Sequence, residues 1–268
     1  MNLKKIASGV FAATAVMAAC VAPATATPVT FADFSLRGGT ANPFRYTNSA
    51  GPNSTFTLVS ATIPVTFTYQ VPNAYGASGT SIKALLSFSG QVNGVVTKAD
   101  GTALVGSPAG VSVMQKLKNV TFTFTAITAG NIPGTNLLTT TASTGALTGR
   151  IGGRTLSFGG DTGLGDSVNY SSDFLNFTHT IEQDFNFSFT SLTNLTGGGA
   201  LAVKTSGNLA SGKGNFVPFS TSGTGTFDSD PAPLLPSPEP APVAAFLIGG
   251  MGLALLAFRG RKASRLSA

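Results

Sequence analysis

The feature that most limits how this chain can fold is an alternation of apolar and short polar residues with a period of two. It appears in Thr55-Phe56-Thr57-Leu58-Val59, in Val65-Thr66-Phe67-Thr68-Tyr69 and in Val120-Thr121-Phe122-Thr123-Phe124-Thr125. It returns in Phe177-Thr178-His179-Thr180-Ile181 and in Phe185-Asn186-Phe187-Ser188-Phe189. A β-strand sends successive side chains to opposite faces, so these runs put Phe and Val on one face and Thr, Ser and Asn on the other. Phe122, Phe124, Phe185, Phe187 and Phe189 are therefore expected to face a core. No amphipathic pattern longer than three helical turns precedes residue 241. The expected fold is all-β, an antiparallel β-sandwich or flattened barrel over residues 27–230.

Turn residues divide the runs, as at Pro72-Asn73-Ala74-Tyr75-Gly76 and Asn131-Ile132-Pro133-Gly134. Residues 145–165 hold eight glycines and read as long hairpin loops or bends. Gly197-Gly198-Gly199 reads as a second such spacer. Phe219-Ser220-Thr221-Ser222-Gly223-Thr224-Gly225-Thr226-Phe227 reads as a final strand, and residues 228–236 as an exposed Pro-rich linker.

The two ends of the chain follow different rules. Lys4 and Lys5, an Ala-rich apolar run over 6–21 and Ala24-Thr25-Ala26 make residues 1–26 a secretory signal, cut ahead of Thr27. Met17-Ala18-Ala19-Cys20 is a competing lipoprotein box. Cys20 is the only cysteine, so the domain that follows forms no internal disulfide. At the other end, Pro238-Glu239-Pro240 lies in a Pro-rich linker (231–242). An uncharged run follows over 243–258, then Arg259, Arg261, Lys262 and Arg265 within a basic tail (259–268). Cations after an apolar run stop transfer and stay on the cytoplasmic side. The run amounts to about 24 Å of helix, short for a bilayer core of about 30 Å. Without the two ends, ten Lys/Arg face nine Asp/Glu. The basic balance of the whole chain thus belongs to its topology, and no nucleic-acid footprint is expected.

This three-part tail resembles the PEP-CTERM sorting tail, also catalogued as an ice-binding protein C-terminal motif. The resemblance covers about residues 236–262 and concerns destination, not biochemical activity. It implies an exported Gram-negative protein whose tail, including a transmembrane helix over 243–258, is recognised and removed by an exosortase, a cysteine transpeptidase-like membrane protease, in systems that accompany exopolysaccharide production. Members often carry Trp-Ala soon after the motif; here Ala244-Ala245-Phe246 stands there and the chain has no Trp. An ordinary permanent C-terminal anchor is the alternative.

Few residues suggest chemistry. His179 is the only histidine, and it falls in phase with the apolar residues of the 177–181 alternation. It reads as a strand residue with a satisfied hydrogen bond. Gly165-Asp166-Ser167-Val168 resembles the nucleophile block of the Gly-Asp-Ser-Leu hydrolases, but the later Asp-x-x-His block is missing, Asn176 standing three before His179. A serine nucleophile needs a positioned base, so this reads as a polar turn. Asp161, Asp166, Asp173, Asp228 and Asp230 could offer oxygen atoms to Ca²⁺, but their spacing matches no calcium loop. Threonine rows could order water at ice, but no repeat makes them flat and regular. The expectation is a non-enzymatic domain with no cofactor, no metal and no catalytic residues. It belongs to a cell-surface or matrix protein, with an exosortase-type protease, transiently the inner membrane and exopolysaccharide as partners. The alternatives are a polysaccharide-binding module, then an ice-binding protein or a hydrolase.

Overall fold

The computed structural model describes residues 28–235 apart from 39–40, 49–53, 73, 75–77, 128–134, 163–164 and 207–212. The expected signal, including Ala24 and Ala26, lies outside the described residues. So do Pro238, Glu239, Pro240, the apolar run and the basic tail, and most of the turns expected near residues 73 and 131.

Twelve strands form one antiparallel sheet: β1 (Val29–Leu36), β2 (Phe44–Thr47), β3 (Thr55–Leu58), β4 (Ile63–Tyr69), β5 (Ser81–Val92), β6 (Thr97–Lys98), β7 (Ser112–Ala126), β8 (Asn136–Arg150), β9 (Leu156–Asp161), β10 (Val168–Ser171), β11 (Glu182–Asn194) and β12 (Phe219–Asp230). There is no α-helix among the described residues.

The ladder closes on itself. β12 pairs with β11, β11 with β9, β9 with β8, β8 with β7 and β7 with β5. β5 pairs with β4, β4 with β1, and β1 returns to β12. β2 and β3 continue the lanes of β1 and β4 along the other halves of β12 and β5. Closure leaves no long unpaired edge, the usual hazard of an open sheet. The strands are strongly staggered. One row of register partners starts at Ser81 and runs through Thr68, Asp33, Thr226, Asn186, Gly159 and Ala146 to Lys116. The Lys116 carbonyl then accepts from the Asn93 amide, just past the other end of β5. Such stagger is what tilts the strands of a closed barrel.

The interior is filled with aromatic rings. Phe122, Phe124, Phe185, Phe187 and Phe189 are all buried, as the alternation requires. Rings from different walls meet: Phe122 and Phe187 lie 4.5 Å apart, Phe34 and Phe124 5.1 Å, and Phe124 and Phe227 5.5 Å. Edge-on and tilted contacts dominate, the arrangement favoured by the ring quadrupole.

Room for the rings comes from glycine. Phe187 pairs with Gly225, Phe189 with Gly223, and Phe185 with Gly160. A Cβ on Gly160 would lie 2.6 Å from the Phe185 ring, and one on Gly145 would lie 2.8 Å from Phe158. This corrects the reading of 145–165 as loops or bends. Gly145 and Gly149 lie in β8, Gly159 and Gly160 in β9, and the residues between form a tight turn. Gly145, Gly149 and Gly160 are the small halves of large–small pairs, set against Phe158, Leu156 and Phe185, which a filled barrel needs.

Two segments cap the barrel. At the end reached by the first residues of β1 and the last of β12, residues 172–181 fold inward and bury Leu175 and Phe177. Phe31, Tyr170 and Phe177 form one ring cluster there. At the opposite end, residues 195–206 and 213–217 lie across the opening and bury Leu201, Val203 and Phe216. Tyr46 stacks on Phe219, and its hydroxyl donates to Gln115 Oε1 at 3.2 Å; Gln115 donates in turn to the Gly94 carbonyl.

Residues 177–181 are not a strand, contrary to their alternation. Phe177 enters the core, His179 is half-buried and Ile181 is exposed, the segment turning through the Thr180 amide to the Phe177 carbonyl. The expected linker also begins later. β12 runs through Asp228 to Asp230, and Leu234 pairs back with Asn176.

Candidate functional site

The outward faces of the strands carry Thr, Ser, Asn, Lys and Asp, and the inward faces carry the aromatic rings. A membrane-spanning barrel has the opposite arrangement, with an apolar outer band. One complete register row on the outside reads Asn169, Thr141, Thr121, Ser89, Thr57, Arg45, Ser220 and Thr193. The threonine rows follow the curved, staggered wall of a barrel, which is not the flat lattice that ice recognition would call for.

The residues weighed for chemistry are not brought together. His179 Nε2 lies 3.4 Å from the Ala232 carbonyl on the capping segment. Ser167 sits near β8, where its amide faces Ser143 Oγ at 3.3 Å. Asp166 accepts from the Thr144 hydroxyl and, at 3.3 Å, from the Asp161 amide. It thereby pins the β9–β10 turn to β8. Asp173 accepts from the Asn136 amide at 2.8 Å. Among the described residues, no group of three or more His, Cys, Asp or Glu side chains is placed to hold a metal ion.

Acidic residues nevertheless gather at one end. Asp161, Asp184 and Asp228 occupy one register row across β9, β11 and β12, and Glu182 pairs with Asp230 beside them. Burial raises the Asp184 carboxyl to about 6, helped by a hydrogen bond and charge repulsion from Asp161 and by the charge of Glu182. One Asp184 oxygen, Oδ1, is buried and accepts no hydrogen bond. The hydroxyl of Tyr170 donates to the Asp184 carbonyl, and burial pushes that phenol far above its ordinary range. Tyr46 and Tyr69 are raised for the same reason.

The basic residues gather at the other end. Lys98 lies on β6, paired to Val113 at the start of β7, and Arg150 pairs with Ser112. Arg154 closes the β8–β9 turn, its carbonyl accepting from the Leu192 amide. Lys204 and Lys213 belong to the capping segments 195–206 and 213–217, tied to the β5–β6 connection through the Val96 amide and Gly214 carbonyl at 2.7 Å. Lys116, Lys118 and Arg45 lie on the strands beneath. A shallow depression of about 420 Å³ opens here, lined by Ser112, Thr148, Arg150, Thr155, Leu156 and Ser157 among others. The Arg150 guanidinium donates from Nε to the Gly110 carbonyl at 2.5 Å, which anchors it at the rim.

No local pattern in the sequence marks this separation, because the acidic cluster draws on residues from 161 to 230 and the basic one on residues from 45 to 213. No protein-family model matches the chain, and no curated protein or solved structure matches it either.

Proposed function

We propose that the chain is an exported cell-surface or extracellular-matrix protein with a non-enzymatic β barrel. A signal takes it across the inner membrane. The C-terminal helix holds it there until an exosortase-type membrane protease acts near Pro238-Glu239-Pro240. The observation that carries the reading is the order of three elements at the C-terminus: a Pro-Glu-Pro motif, a short apolar run over 243–258 and the cluster Arg259, Arg261, Lys262 and Arg265. Closely spaced prolines keep the motif out of the helix and extended at the membrane–water boundary. The cations hold the other end in the cytoplasm. One aspect of the barrel supports the non-enzymatic part: its interior is packed with aromatic rings.

Retention and cleavage depend on different residues. Replacing Pro238, Glu239 and Pro240 by Ala is expected to leave insertion intact and block removal of the tail. Neutralising Arg259, Arg261, Lys262 and Arg265 is expected to weaken the stop and the orientation instead. The readout is the C-terminal mass of protein recovered from the host cell surface. Native protein that still ends at Ala268 would mean that the tail is a permanent anchor.

A further inference from the structure

We infer that the basic end of the barrel is a binding surface for an acidic polysaccharide, a polymer of carboxylate-bearing sugars. The inference deepens the matrix-protein reading and rests on it only for where such a polymer is met.

The first observation is the separation of charge. Of the ten Lys and Arg in the barrel domain, Arg45, Lys98, Lys116, Arg150, Arg154, Lys204 and Lys213 lie in the half capped by residues 195–206 and 213–217, while Lys118 sits near the middle, its register partner Thr144 donating to Asp166. Of the nine Asp and Glu, only Asp100 joins them. The other half holds the remaining eight acids and Lys83, and Arg37 sits between the halves. A net charge near zero therefore hides two strong opposite fields, which steer a polyanion to one end and repel it from the other.

The second observation is accessibility. Val29 pairs with Ser229 at the acidic end, so both termini of the described chain leave the barrel there. The basic end carries neither terminus of the described chain.

The third observation concerns the ligand. Sugar sites that use stacking need exposed rings. Here Tyr46, Tyr69 and Tyr170 are buried, and the exposed large apolar side chains among the described residues are all aliphatic. Neutral glycans and unpaired nucleic acid, both of which lean on stacking, find no platform among the described residues. The depression offers instead the Arg150 guanidinium beside the hydroxyls of Ser112, Thr148, Thr155 and Ser157. A guanidinium takes carboxylate through several N–H donors, and the hydroxyls exchange hydrogen bonds with those of the sugar.

The test uses the full-length chain in neutral detergent. Polygalacturonate, its methyl-esterified form, dextran and duplex DNA are titrated in turn. Polygalacturonate is expected to bind at low salt. Affinity should fall at least about tenfold on esterification, which removes the charge and keeps the backbone, and again on raising salt to about 0.3 M. The pair Lys98→Glu and Lys213→Glu, both exposed, should weaken binding by about tenfold. Arg150→Glu should weaken it further, and Lys83→Glu at the far end should leave it unchanged. Unfolding curves confirm that each variant is folded, and the Lys98 and Lys213 pair keeps the test valid if Arg150→Glu is not. Absence of binding, equal affinity for the esterified polymer, an equal effect of Lys83→Glu, or DNA bound as tightly as polygalacturonate would each overturn the inference. So would association of the basic end with the acidic end of a second copy in preference to the polymer. Tail processing plays no part in the assay, so its failure leaves the sorting reading standing.

Discussion

Phe187 on β11 and Gly225 on β12 are register partners, and the phenyl ring lies over the glycine, where a Cβ would collide with it and come 2.6 Å from Phe34. The same relation joins Phe189 to Gly223. Gly225→Ala is therefore expected to destabilise the barrel by about 1–3 kcal/mol or more, through forced displacement of two rings. Gly38→Ala, with open space at its Cβ position, should change stability little. Denaturant unfolding of the two variants separates a steric demand from a general cost of replacing glycine.

The two faces of β7 should respond very differently to truncation. Phe124 is fully buried and meets Phe34, Phe67 and Phe227, whereas Thr123 is half-buried on the outer face opposite Thr139 and Ser87. Phe124→Ala is expected to cost about 3–5 kcal/mol. Thr123→Ala should cost far less, and equal costs in urea unfolding would reverse the assigned faces.

Thr140 is a polar residue on the wrong side of its strand. It is fully buried in β8 between the register partners Phe122 and Tyr170, and its hydroxyl has no hydrogen-bond partner. Thr140→Val keeps the shape and removes the unsatisfied group. It should raise stability by about 1–2 kcal/mol, read as an increased denaturation midpoint with an unchanged slope.

The pH dependence follows from Asp184. Its carboxyl stands near 6 in the folded chain, above the ordinary aspartate value of 3.8, so folding takes up a proton between those values. Stability from this group is fully present below the ordinary value and declines as pH rises through about 6. Asp184→Asn should flatten that part of the profile and be at least as stable as the native protein at neutral pH. Thermal midpoints measured from pH 4 to pH 8 (roughly the window in which such a carboxyl titrates) test the sign; a native midpoint that climbs across pH 6 would contradict it.

The alternation made the all-β class and the inward phase of β3, β4, β7 and β11 legible from the sequence. It misled at two places, each for a physical reason. Gly145, Gly149 and Gly160 look like flexible spacers because the side chains they make room for, Phe158, Leu156 and Phe185, sit on neighbouring strands that the local pattern does not pair with them. Phe177 and Ile181 alternate like strand residues, but Phe177 is taken by the ring cluster of Phe31 and Tyr170 and the segment becomes a cap. Closure depends on β1 meeting β12 and β5 meeting β7, pairings that no local pattern encodes. The two charged ends were hidden for the same reason: Lys98, Arg150 and Lys213 become neighbours in one half only after the barrel has formed.

β12 also sets an order of events. It is the last strand among the described residues, and it pairs with β11 along its length and with β1 and β2 on its other side. A chain emerging N-terminus first can form the β7–β8 hairpin early, but it cannot shut the ring until residues 219–230 have been delivered. Until then the Phe-bearing faces of β1 and β11 lack the strand that joins them. Closure is thus gated by the arrival of residues 219–230: the seam that completes the barrel is the one made latest along the chain.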